Sequence, residues 1–129
     1  MDQGTIAVRK AFPTVHFYDQ DFVDIYDQTW AWIQESWHKG DSKNGFPARY
    51  FNYPESETVN QYEACFSTFF LVYSNRVFPA AAQLDLFYEK QEGNGAIRGD
   101  YSVSDGSPVF SEDNPEGVNP PLFAWAEHN

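Results

Sequence analysis

Asn60-Gln61-Tyr62-Glu63-Ala64-Cys65-Phe66 leads into Ser67-Thr68-Phe69-Phe70-Leu71-Val72-Tyr73, and the reading of the fold turns on this stretch. An amide pair, a ring and an acid stand at its head, and from Ser67 to Tyr73 there is no charge. A segment that is apolar on every side reads as a helix buried in a larger structure. A carboxylate at the entrance to such a helix is costly unless it is bound. Two readings of Glu63 follow. It is a first-turn acid that satisfies helix amides and the positive end of the dipole. Or it also faces a cavity and accepts hydrogen bonds from sugar hydroxyls, flanked by Asn60, Gln61 and Tyr62.

Upstream, residues 1–20 mix Ile6, Val8, Phe12, Val15 and Phe17 with polar residues and Pro13, which reads as an extended arm. Asp21 is a candidate cap for a helix from Phe22 to about His38. Phe22, Ile25, Tyr26, Thr29, Trp30, Ile33 and Trp37 recur every three or four residues and form its core stripe. Trp32 and Val23 lie to the side. His38-Lys39-Gly40 supplies cations and a glycine to end the helix. A loop over residues 41–59 carries Phe46, Tyr50, Phe51 and Tyr53, too many rings for a disordered segment.

The helix of the opening stretch is expected from Val59 to Val77. Pro79 then starts a third helix to about Glu92. Its apolar face is Ala80, Leu84, Phe87 and Tyr88, and its solvated face is Asp85, Glu89, Lys90 and Glu92. Gln91-Glu92-Gly93-Asn94-Gly95 is a stop signal. The loop over residues 93–118 carries Arg98, Asp100 and Tyr101, with Glu112-Asp113-Asn114 as a solvated turn before Pro115. Arg98 and Asp100 are open to a plain reading as an exposed ion pair of little energetic weight. A fourth helix is expected from Asn119-Pro120-Pro121 through Leu122, Phe123, Trp125 and Ala126. The expected fold is all-α: one incomplete domain over 1–129, with residues 21–129 as helical hairpins whose long aromatic loops gather on one side. The last helix reads as cut short, so the chain is expected to be an N-terminal piece of a larger domain.

The 129 residues carry 8 Lys and Arg against 19 Asp and Glu, a net charge of −11. That balance disfavours nucleic acid, which is held through basic patches, and an anionic membrane surface. The opening Met1-Asp2-Gln3-Gly4 does not read as a signal peptide, and no run reaches the roughly 18 apolar residues of a membrane span. The single Cys65 excludes an intrachain disulfide and reads as an inert core thiol. A reducing cytoplasm fits best. His16, His38 and His128 lack partners at ligand spacing, so no metal is expected. Gly93-Asn94-Gly95 lacks the context of a phosphate cradle. Rings make up 19% of the chain, and rings beside acids are the chemistry of carbohydrate sites.

Tyr62-Glu63-Ala64-Cys65-Phe66 resembles the aromatic–acid–small–small–Phe motif that opens an inner helix of the six-hairpin glycosidases. These are (α/α)6-barrel enzymes related to trehalase, the processing α-glucosidases and the mannosylglycerate and glucosylglycerate hydrolases. Gln91 followed by Gly95-Ala96-Ile97-Arg98 is similar to the turn after that family's next outer helix. Asn119-Pro120-Pro121-Leu122-Phe123-Ala124-Trp125-Ala126 is similar to the start of its following inner helix. The resemblance covers residues 16–129. It implies the first part of an (α/α)6 toroid, from an enzyme that hydrolyses a small α-linked saccharide with inversion and without a cofactor.

Carried onto this chain, the resemblance makes Tyr62 a wall of the sugar site and Glu63 a binder of ring hydroxyls. Arg98 and Tyr101 fall on the next loop of the same rim. Glu63 departs from the family's usual Asp by one methylene. Inverting glycosidases use two carboxyls about 6.5–9.5 Å apart. In the family these come from later loops, so no catalytic residue is expected in this chain, which alone should be inactive. The implied partners are a saccharide substrate and the remainder of the parent catalytic domain. The alternative is a non-catalytic helical module that binds a saccharide or a protein through its aromatic loops. A tetratricopeptide array is disfavoured because no repeat near 34 residues is present.

Overall fold

Asp19 caps the first long helix of the chain. In the computed structural model, which describes residues 12–74, 77–111, 113–114, 119–120 and 122–128, Asp19 is extended and its carboxylate accepts the Asp21 N–H at 3.0 Å. This makes Asp19 the cap and places Asp21 in the first turn of α1 (Gln20–Glu35). Trp30 and Ile33 face inward. Ser36 ends the helix. Its N–H donates to the Trp32 carbonyl at 3.0 Å and its hydroxyl to the same carbonyl at 2.8 Å.

The helix therefore stops short of His38. Trp37 and His38 leave it as β1 (Trp37–His38) and pair antiparallel with β2 (Tyr50–Phe51), Trp37 opposite Phe51. Gly40 is not a helix end. Its N–H donates to the Pro47 carbonyl at 3.0 Å, and a Cβ there would lie 2.2 Å from the Phe46 carbonyl oxygen.

A second sheet brackets the opening stretch. β3 (Thr58–Asn60) runs directly into α2 (Gln61–Leu71), and Val72–Ser74 tightens into a 3-10 turn. β3 pairs antiparallel with β4 (Asp100–Ser102), with Val59 opposite Tyr101 and Asn60 opposite Asp100. α3 (Ala82–Glu89) and α4 (Phe123–His128) both pack on α2.

The architecture is thus mixed α/β: four helices and two small antiparallel sheets among the described residues, about 40% helical. This corrects the all-α expectation of hairpins opening an (α/α)6 toroid. The segments read as long loops carry β-branched and aromatic residues, namely Tyr50-Phe51, Thr58-Val59 and Tyr101. These bury their side chains by pairing backbone to backbone. Strands of two or three residues are too short to show an alternating pattern.

α2 is also not uniformly apolar toward its surroundings. Gln61, Ala64, Cys65, Ser67, Thr68 and Leu71 are buried, whereas Tyr62 and Phe66 are exposed. The buried hydroxyls are satisfied within the helix, Ser67 to the Ala64 carbonyl at 2.8 Å and Thr68 to the Cys65 carbonyl at 2.7 Å. Small side chains inside allow close approach, and the rings outside meet one another tilted or edge-on. Trp125 of α4 lies 5.3 Å from Phe66 and 4.3 Å from Phe69.

α3 is shorter than expected because Pro79, Ala80 and Ala81 form a turn ahead of it. Tyr88, expected on its apolar face, is exposed and donates to Glu127 at 2.7 Å. Lys90, expected in solvent, donates to the carbonyls of Asn44 (2.7 Å) and Gly106 (3.1 Å) and so ties two loops to α3. Residues 1–11 of the expected arm, residues 75–76 of the expected second helix, Glu112, Pro115 and Pro121 lie outside the described residues.

β2 joins two parts of the core, because adjacent strand residues face opposite ways. Phe51 sits with Phe12, Trp30, Ile33, Leu71 and Phe78, while Tyr50 sits with Phe46, Val59, Leu86, Phe87 and Tyr101. Gln83 of α3 completes the strand. Its Oε1 accepts the Phe51 N–H at 2.7 Å and its amide donates back to the Phe51 carbonyl. All four atoms are buried, and an unpaired buried amide group costs about 1–3 kcal/mol. Gln83→Ala should therefore lower unfolding free energy by about 2–4 kcal/mol, read from urea denaturation.

Gly106 offers a second test. It has φ +69, and a Cβ there would sit 1.9 Å from the Asn44 carbonyl oxygen, whereas Gly93 has nothing within 4 Å. Gly106→Ala should cost at least about 2 kcal/mol, and Gly93→Ala should stay within about 0.5 kcal/mol of the parent in the same assay.

Candidate functional site

The register of the second sheet assembles a polar cluster at the mouth of α2. Asn60, opposite Asp100 in the ladder, donates through Nδ2 to Asp100 Oδ1 at 2.9 Å. Its own Oδ1 caps α2 by accepting the Glu63 N–H at 3.1 Å. One amide thus bridges a strand acid to the first turn of a helix. Burial first, and the Asp100 carboxylate second, push the Glu63 carboxyl above its ordinary range. Burial first, and Glu63 second, push the Tyr53 phenol up. Tyr53, Glu63 and Asp100 therefore share one electrostatic neighbourhood.

One ring adjoins this cluster, and a second stands in the same first turn of α2. Tyr53 is half-exposed and stacks on Trp32, with centroids 5.4 Å apart and planes at 30°. Tyr62 is exposed and leans on Phe66 at 4.6 Å. The crevice between Tyr53, Asn60, Glu63 and Gln83 has a volume of about 10 Å³, the room of about one water. A ligand larger than a water would lie across this rim and not inside it.

The six residues singled out in the sequence divide evenly. Asn60, Tyr62 and Glu63 gather at the mouth of α2. Gln61 is buried, and its N–H donates to the Gly99 carbonyl at 2.7 Å. Arg98 is gripped by Glu92 in a two-point pair, Nε to Oε1 at 2.7 Å and Nη2 to Oε2 at 3.0 Å. Tyr101 is a core residue, 2% exposed, whose hydroxyl accepts the Arg98 N–H at 3.2 Å. Arg98 and Tyr101 thus brace the loop behind the rim. Tyr53 and Asp100 are the members the sequence reading left out of the site. Nothing local marks them, because the strand pairing alone brings position 100 to position 60.

A larger feature adjoins the rim at Tyr53. An open apolar groove of about 840 Å³ runs beside α1, lined by Phe22, Ile25, Trp32, Ile33, Tyr53 and Tyr73 among others. Among the described residues, no group of three or more His, Cys, Asp or Glu is placed to hold a metal ion. No helix among them is long and apolar enough to cross a membrane.

No protein family matches the chain, and no solved structure matches it. It is similar to an uncharacterized protein of Borreliella burgdorferi, 37% identical over 123 residues, which covers 94% of this chain and 26% of the relative. The chain thus spans about a quarter of the length of that relative.

Two groups give direct tests. Cys65 is fully buried, and burial raises its thiol to about 11, so it stays protonated at neutral pH. A disulfide reagent at pH 8 should leave Cys65 unmodified in the native chain and label it within minutes in denaturant. Burial, and next the Asp100 carboxylate, raise the Glu63 carboxyl from its ordinary value, so the native state holds its proton more tightly than the unfolded chain. The stability this group contributes is present at low pH and lost as pH rises through the folded value. A carboxyl NMR titration should place the Glu63 midpoint above that of the unfolded chain. Asp100→Asn should move it down, and Glu63→Gln should flatten the fall of stability across that window.

Proposed function

We propose that this chain supplies a sugar-contacting rim of a longer cytoplasmic glycoside hydrolase that acts on a small α-linked saccharide. The observation that carries the reading is the gathering of Asn60, Glu63 and Asp100 beside the ring of Tyr53, with Tyr62 exposed in the same first turn of α2. Carboxylates accept hydrogen bonds from sugar hydroxyls, an amide orients them, and exposed rings cover the apolar C–H face of a pyranose. The motifs at residues 62–66, 91–98 and 119–126 support the same reading, and the relative almost four times as long as the match bears only on the length of the parent. In this reading Glu63 is a binder. The acid and base of hydrolysis belong to other parts of the longer protein, and Arg98 and Tyr101 hold the rim from behind.

The test is an amide-resolved NMR titration of the chain with trehalose, maltose and methyl α-mannoside, with glycerol as the control. Shifts should concentrate on Asn60, Tyr62, Glu63 and Asp100 for at least one sugar. Each lost hydrogen bond to a charged acceptor is worth about 1.5–3 kcal/mol. Glu63→Gln or Asp100→Asn should therefore weaken binding roughly tenfold or more. Shifts spread evenly over the surface, or equal to those with glycerol, would refute the reading. A second reading, a non-catalytic protein-binding module, is favoured by the open apolar groove beside α1.

A further inference from the structure

The groove beside α1 is a wide apolar opening, and its walls are unusual for a surface. Phe22 and Ile25 are each 60% exposed and Tyr73 is 65% exposed, with Trp32 and Tyr53 also open to solvent. From Phe22 to Ile33 its α1 wall runs twelve residues, with about 16 Å or three helical turns between the first and the last. Contiguous exposed apolar surface of this kind marks an interaction site.

Charge selects the occupant. α1 carries Asp21, Asp24, Asp27 and Glu35 and no Lys or Arg. Asp21, Gln28 and Glu35 recur at seven-residue spacing, so they share one edge of the helix. Each is three or four residues from Ile25 or Trp32, which places that edge beside the groove. The apolar floor is thus bordered by acids along this edge of α1. A second copy of this chain would bring acid against acid, with a net charge of −11 on each partner.

We infer that the groove docks an amphipathic helix of about three turns whose apolar face is bordered by Lys or Arg, presented by a protein partner. The inference deepens the protein-binding reading and does not depend on sugar binding. Phe22, Ile25 and Trp32 meet the apolar face, while Asp21 and Glu35 meet the cations along its border.

The test titrates the chain with an amphipathic Leu–Lys peptide about five turns long, its scrambled isomer, and a Leu–Glu peptide of the same pattern. Tryptophan fluorescence reports binding and sedimentation velocity reports assembly. The Leu–Lys peptide should bind one-to-one, at least tenfold tighter than its scrambled isomer, and the Leu–Glu peptide should bind at least tenfold more weakly. Phe22→Ser with Ile25→Ser should reduce affinity at least tenfold. Asp21→Asn with Glu35→Gln should reduce it several-fold, and Val109→Ser, an exposed apolar residue outside the groove, should leave it unchanged.

Equal binding of Leu–Glu and Leu–Lys, still sensitive to Phe22 and Ile25, would keep the protein-binding reading and overturn the charge assignment. Binding of neither peptide would overturn both. A dimer of the chain that the Phe22 and Ile25 changes dissolve would show that a second copy is the occupant and overturn the proposal.

Discussion

Three residue pairs between Thr58–Asn60 and Asp100–Ser102 hold the rest of the molecule in place. The register sets Val59 against Tyr101 inside the core and Asn60 against Asp100 at its edge. Because β3 runs straight into α2, the same pairing also aims the helix. Asn60 then serves two neighbours at once: Asp100, the acid across the ladder, and the first turn of α2. A slip of one residue would send every side chain of β3 to the opposite face. Val59 would leave the core, and Glu63 would lose its cap and its neighbouring acid together.

A second constraint is how the chain disposes of its rings. α2 buries small and hydroxyl side chains and displays Tyr62 and Phe66, which inverts the usual amphipathic arrangement. That inversion lets α3 and α4 approach α2 closely, with Cys65, Leu84 and Ala126 packed at the centre. The displaced rings find partners laterally, in the run from Tyr62 through Phe66 to Trp125 and in the Trp32–Tyr53 stack. Arg49 covers the inner wall in a similar way, its guanidinium 4.7 Å from the Phe78 ring centre. Tyr53 is the point where the polar rim and the apolar groove meet, since its ring lines both.

How far the sequence could be read depended on the range of the signal. α1 was legible because Phe22, Ile25, Tyr26, Trp30 and Ile33 repeat at helical spacing over several turns. Its end was not. Ser36 closes the helix with a hydroxyl that any surface serine also carries, and the pull of Trp37 toward Phe51 is a contact between distant residues. The start of α2 was legible to within two residues from Asn60 and the acid in its first turn. The strands were invisible because two or three residues cannot display a period. Gln83 gave no local sign either, since its role is to complete an edge that exists only after Phe51 has docked.

By itself, the sequence determined the four helical segments approximately, the burial of Cys65, the acidity of the surface, and Asn60, Tyr62 and Glu63 as residues that stand together. Those properties follow from composition and from spacings within one helical turn, where bonded geometry alone decides who are neighbours. Only the tertiary structure decided that the class is mixed α/β, that Asp100 and Tyr53 join Glu63, and that Arg98 and Tyr101 turn inward. Pairing across some forty residues of chain depends on which distant backbones can bury their apolar side chains together. No local pattern encodes that choice, because the competing registers look alike until the core between them is filled.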